Sequence, residues 1–167
     1  MRLKIPMREF QNKTYWIVGA SEGLGRALAI QLAKVGAKVI ISARSEERLI
    51  GLSEEIGSNT MVLPMDVSDR SSVQKACSKL PKSLDGFIFV SGVYWHMSAS
   101  SWDETKAEEM VDVNLIGAMR CLAHLVPKFI NQGFGHIVLT GSIAGYRGLP
   151  GSVGYCASKA GLMSLAE

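Results

Sequence analysis

Residues 14–29 read T-Y-W-I-V-G-A-S-E-G-L-G-R-A-L-A, and this stretch decides the fold. Thr14 to Val18 are β-branched or aromatic, the composition of a strand. Gly19, Gly23 and Gly25 follow, and then come helix formers. A strand, a glycine turn and a helix N-terminus stand in the order a dinucleotide pyrophosphate requires, because bare glycine backbone admits the phosphates and the unpaired helix N–H groups meet them.

Outward from that turn the chain alternates helix and strand with little spare sequence. Leu28, Leu32 and Val35 mark the first helix and Gly36 its C-cap, after which K-V-I-I-S-A-R at 38–44 is a buried second strand. Ser45 caps a helix carrying Leu49, Leu52 and Ile56 and ending at Gly57. T-M-V-L-P-M-D at 60–66 is a third strand, and Ser68 starts a helix with Val73, Cys77 and Leu80 on one face. G-F-I-F-V-S-G at 86–92 is a fourth strand. Ser101 and Glu104 predict a capping box for a long helix to about Asn131, bent near Pro127, and G-H-I-V-L-T-G-S at 135–142 is a fifth strand. Continuous apolar strands separated by helices predict an α/β fold, a parallel sheet covered on both faces. The residues before Thr14 read as a leader onto the first strand, and one domain is expected over 1–167.

Composition sets limits. Of 167 residues 47% are hydrophobic and 20% charged, ordinary for a globular domain. The net charge of +3 is small and spread along the chain, which argues against a nucleic-acid stripe or a membrane-binding face. The longest apolar run, near Phe87 to Val90, is too short to span a bilayer. Cys77, Cys121 and Cys156 are odd in number and lack metal-ligand spacing, as do His96, His124 and His136. Reduced thiols in a cytoplasmic protein, and no metal, are the expectation.

The run from Thr140 to Lys159, T-G-S-I-A-G-Y-R-G-L-P-G-S-V-G-Y-C-A-S-K, carries the chemistry. Tyr155 and Lys159 lie one helical turn apart, so an ammonium can stand beside a phenol. A nearby cation favours the phenolate, which makes a weak acid usable near neutral pH. Ser142 stands as a donor to a substrate oxygen.

With the glycine turn, Asp66-Val67 after the third strand, Asn114 in V-N-L-I-G, Ser142 and Y-C-A-S-K in this order, the chain resembles the short-chain dehydrogenase/reductase family from about residue 12 to its end. The resemblance implies a Rossmann-type doubly wound sheet of strand order 3-2-1-4-5. It implies that Tyr155 is the general acid/base, that Lys159 assists it and holds a nicotinamide ribose, that Ser142 orients a carbonyl or alcohol, and that Asn114 positions a relay water. The cofactor contacts it implies are Gly19, Ser21, Glu22, Gly23, Leu24, Gly25, Arg44, Asp66, Val67, Ser91 and Gly92, with Tyr155 and Lys159. Because the second strand ends Ser42-Ala43-Arg44 and not in a carboxylate, NADP(H) is expected over NAD(H), with Arg44 and Ser21 as phosphate donors and Glu22 as an opposing charge.

The chain departs from the family pattern in three places. Val18 stands where threonine is usual. The fourth strand ends F-V-S-G in place of N-N-A-G, so a bracing asparagine is replaced by Val90. The chain reaches Glu167 without the sixth and seventh strands, so it reads as C-terminally truncated, with the fifth strand as an edge. The remaining substrate-side residues are Tyr94, Trp95 and His96, and the segment with Tyr146, Arg147 and Leu149. The long helix bears Met110, Leu115, Met119, Leu122 and Val126, enough for the sheet and a second subunit, and a homodimer or homotetramer is expected at full length. Two readings follow: a carbonyl reductase or alcohol dehydrogenase, and a nucleotide-binding or partner-binding short form without turnover.

Overall fold

A computed structural model describes residues 8–167. Most of the expected leader, residues 1–7, lies outside them. Five parallel strands form one sheet in the order β3-β2-β1-β4-β5: β1 (Thr14–Val18), β2 (Lys38–Ser42), β3 (Thr60–Val62), β4 (Gly86–Phe89) and β5 (Ile137–Leu139). This is the Rossmann-type order expected from the sequence.

Strand alternation divides the apolar residues between two cores. Trp16, Val18, Phe87 and Phe89 face α3 (Arg70–Ser78) and α5 (Gly117–Gln132), where they meet Val73, Ala118, Cys121 and Leu125. Tyr15, Ile17, Val39 and Ile41 face α1 (Gly23–Lys34) and α2 (Glu46–Ile56), meeting Ala29, Leu32, Leu49 and Leu52. Burying both faces explains why the strands read as unbroken apolar runs. One polar pair lies inside: the Trp16 indole N–H donates to the Ser42 hydroxyl at 2.7 Å.

Several local expectations need correction. Val35 is exposed; Leu32 and Ala29 carry the buried face of α1. The helix expected from Ser68 begins at Arg70, because the Asp69 carboxylate accepts from the Ser71 N–H and takes the cap position. Likewise α4 (Glu104–Val111) is capped by Asp103, which accepts from the Lys106 N–H. Ser101 instead pairs with Ser98 in a separate short turn, Ala99–Ser101. The long helix is interrupted at a π turn, Asp112–Ile116, eleven residues before Pro127. Taken as one helix, Glu104–Gln132 is long and apolar enough by composition to cross a membrane, unlike the run at Phe87–Val90. In the fold Met110, Cys121, Leu125 and Phe129 on it are buried, as a core helix requires. The chain ends with α6 (Val153–Ala166).

Candidate active site

The turn after β1 leaves no room for a side chain at Gly19 or Gly25. A Cβ on Gly19, where φ is +96°, would stand 2.5 Å from the Ser91 nitrogen, and one on Gly25 2.1 Å from the Gly19 oxygen. Gly23 differs. It opens α1 at φ +53° with nothing within 4 Å of where its Cβ would be. The first N–H groups of α1 also receive no side-chain cap, whereas Ser45, Asp69 and Asp103 cap α2, α3 and α4. An open glycine and uncapped N–H groups at a cleft form a cradle that fits a phosphate.

That cleft is walled by Ser21, Glu22 and Leu24 on the turn, Arg44 after β2, Asp66 and Val67 after β3, and Ser91 and Gly92 after β4. Asp66 shapes its own loop, accepting from the Ser68 N–H at 2.9 Å and the Ser68 hydroxyl at 2.6 Å. Of the polar side chains lining the cleft, Ser45 and Arg48 are not in the cofactor set expected from the sequence. Arg48 forms an ion pair with Glu22, so the carboxylate that opposes an anion in the turn is matched by a guanidinium from α2. The available signal was a second arginine in the first turn of the helix after Arg44. Its meeting with Glu22, 26 residues away, depends on how α2 packs.

Val90 replaces the usual asparagine without leaving the strands unbraced. The Val90 and Ser91 N–H groups both donate to the Val18 oxygen, at 2.9 and 3.0 Å. The Thr140 N–H and hydroxyl both donate to the Phe89 oxygen, at 3.1 and 2.9 Å. Three backbone N–H groups and the Thr140 hydroxyl thus tie the ends of β1, β4 and β5 together beside Val90.

The second half of the site lies where β5 runs into α6. Lys159 is buried, its ammonium donates to the Thr140 oxygen at 2.6 Å, and it sits 5.8 Å from the centre of the Tyr155 ring. Burial holds the Lys159 pKa below its ordinary value. Ser142 follows β5 and accepts from the Ala144 N–H at 3.2 Å, with its own hydroxyl proton free to turn outward.

Asn114, fully buried in the π turn, links the two halves. Its Oδ1 accepts from the Val93 N–H at 2.7 Å, and its Nδ2 donates to the Val93 oxygen at 3.0 Å and the Ser158 hydroxyl at 3.1 Å. The side chain therefore has one Oδ1 lone pair left for a water. The thiols stand apart from this chemistry: burial pushes Cys77 up to about 11 and Cys121 higher. Among the described residues no group of three His, Cys, Asp or Glu side chains gathers as a metal site would.

A family model described as short chain dehydrogenase matches residues 13–167. The chain belongs to the short-chain dehydrogenase family. It is 34% identical over 164 residues to an uncharacterized oxidoreductase of Listeria monocytogenes, covering 94% of this chain and 66% of that protein. It is 32% identical over 161 residues to a 3-oxoacyl-[acyl-carrier-protein] reductase of Rickettsia typhi, covering 96% of this chain and 66% of the relative. A solved short chain dehydrogenase/reductase family protein superposes with a TM-score of 0.89 at 28% identity, over 95% of this chain and 67% of that one. This short-chain dehydrogenase thus spans about two thirds of the length of the relatives it matches.

Proposed function

We propose that the chain carries the nucleotide-binding and catalytic core of an NADP(H)-dependent oxidoreductase that interconverts a carbonyl and a secondary alcohol. One observation supports this most: Tyr155, Lys159 and Ser142 share the carboxyl end of the sheet with the glycine cradle, and Asn114 ties the loop after β4 to α6 between them. Ligands bind at that end of open α/β sheets.

In this reading Gly23 and the N-terminus of α1 would hold the phosphates and Lys159 the ribose; Arg44, aided by Ser21, would hold a 2′-phosphate, and Arg48 offsets Glu22 beside it. When bound, the nicotinamide supplies or accepts the hydride. Tyr155 gives its proton to the substrate oxygen during reduction and recovers it during oxidation. Ser142 donates a hydrogen bond to the same oxygen, and the Lys159 ammonium, anchored on Thr140, stabilises negative charge that is greatest in the transition state.

The full-length enzyme is read as a cytoplasmic homodimer or homotetramer, paired through the apolar groove between α4 and α6 that Trp102, Val111, Ile116, Val153 and Ala157 line. Because relatives at 32% identity are named 3-oxoacyl-[acyl-carrier-protein] reductases, 3-oxoacyl thioesters are the first carbonyls to try. The test is NADPH fluorescence on titration with this chain, followed by NADPH oxidation over a carbonyl panel. Binding with turnover supports the enzyme. Binding with no turnover supports nucleotide binding without catalysis by this chain, and absence of binding removes both.

A further inference from the structure

We propose that Tyr94 is a positioning residue for Tyr155, holding the phenol ring in place against α6. The proposal rests on the reading of Tyr155 as the proton donor. Tyr94 lies on the loop after β4, and that loop is pinned on both sides of it. Before it, Val93 is held through both its N–H and its carbonyl by the Asn114 amide, at 2.7 and 3.0 Å. After it, the Met97 N–H donates to the Gly151 oxygen at 3.0 Å, and Met97 pairs with Ser152 in a parallel bridge.

Between the pins the Tyr94 side chain crosses to the start of α6. Its ring meets the Tyr155 ring edge to face, with centres 5.1 Å apart and planes at 74°. Its hydroxyl lies 3.2 Å from the Ser152 hydroxyl and 3.5 Å from His96 Nδ1. The His96 ring occupies the space over Gly151, where a Cβ would stand 2.0 Å from its Cε1, so glycine is what lets this cluster close. Tyr155 also packs on the small apolar cluster of Met97, Ala107 and Met110. These contacts and the Lys159 ammonium leave the ring little freedom.

Tyr94 is 49% exposed, so it contributes little to the core, and its removal is tolerable to the fold. A half-exposed aromatic on a loop pinned at Val93 and Met97, its ring laid edge-on against the proposed proton donor, fits an orienting role. A ring that turns away from the substrate oxygen loses alignment, and small misplacements of reacting groups lower rates steeply.

The test compares parent, Tyr94→Ala and Tyr94→Phe by hydroxyl-radical footprinting with residue-level mass spectrometry. Tyr155 is the one tyrosine of the tryptic peptide 148–159, and buried Tyr15 reports whether the core is intact. Expected are a several-fold rise in Tyr155 labelling in Tyr94→Ala, parent labelling in Tyr94→Phe, and unchanged Tyr15. If Tyr94→Ala exposes Tyr15, Tyr94→Leu takes its place. In NADPH-dependent turnover, Tyr94→Ala should lower kcat about tenfold with the KM for NADPH unchanged, and Tyr94→Phe should restore it. Parent-level Tyr155 labelling in Tyr94→Ala overturns the proposal, as does increased labelling with parent kcat. If the parent itself turns over no carbonyl, the enzyme reading fails, and the labelling alone decides whether Tyr94 holds the ring.

Discussion

The turn between β1 and α1 is built from backbone, whereas the segment between β5 and α6 is built from side chains. In the first, Gly19 and Gly25 are bare because Ser91 and Gly19 backbone atoms fill the space a Cβ needs. In the second, Thr140, Asn114 and Ser158 place Lys159 and the helix that carries Tyr155 through hydrogen bonds. The difference teaches where each half tolerates change. A backbone-built turn leaves its exposed side chains free to vary, yet it accepts no added carbon at Gly25. A side-chain-built segment should fold with its functional groups altered and lose chemistry instead.

The sharpest way to break this contrast lies in the glycines. Gly25→Ala forces backbone against backbone and should cost about 3 kcal/mol or more in urea unfolding, a large overpacking effect. Gly23→Ala meets open space and should cost only about 1–2 kcal/mol for its left-handed backbone, while abolishing NADPH binding. Equal stabilities of the two variants would show that turn packing does not decide.

On the other half, Tyr155→Phe should leave unfolding midpoints and NADPH affinity near the parent values and lower turnover by at least ~10²-fold, the scale of general acid catalysis. Lost stability with retained turnover per folded molecule would make Tyr155 a packing residue.

At the junction of turn and cleft, Arg44→Ala should remove most of the preference for NADPH over NADH, about 1–3 kcal/mol for a charge-assisted hydrogen bond. Arg48→Ala should weaken NADPH binding by less, by leaving Glu22 unmatched, because the exposed pair is worth about 0–1 kcal/mol. Fluorescence titrations with both nucleotides check this, and equal parent affinities would remove the assignment.

The smallest effect concerns pH. Burial places the folded-state pKa of Lys159 below its ordinary 10.5, so between these values the unfolded chain binds more protons. The penalty for the buried ammonium is full at pH below the folded pKa and is relieved as pH rises toward 10.5. Parent stability should therefore rise with pH relative to Lys159→Met across that window. Unfolding curves for both proteins at several pH values measure the slope, and a fall would contradict it.

How much of this was legible in the sequence follows the range of the interactions. Thr14–Gly25, the apolar runs of the strands and the four-residue step from Tyr155 to Lys159 are local patterns, and local patterns report backbone shape and helix face directly. The sheet order and most of the cleft lining came from the resemblance that those patterns support. Cap positions were misjudged by one or two residues because Ser68, Asp69, Ser101 and Asp103 are all able to cap, and the choice depends on where the helix docks.

By itself, then, the sequence determined that a strand, a glycine turn and a helix open the fold, that the sheet is buried on both faces, and that Tyr155 and Lys159 share a helix face. Only the tertiary structure decided that Arg48 meets Glu22, that the Asn114 amide is taken up by Val93 and Ser158, and that Tyr94 lies against Tyr155. The physical reason is separation along the chain. These partners stand 21 to 61 residues apart, apart in sequence by far more than any helical or strand period, and packing of helices on the sheet brings them together.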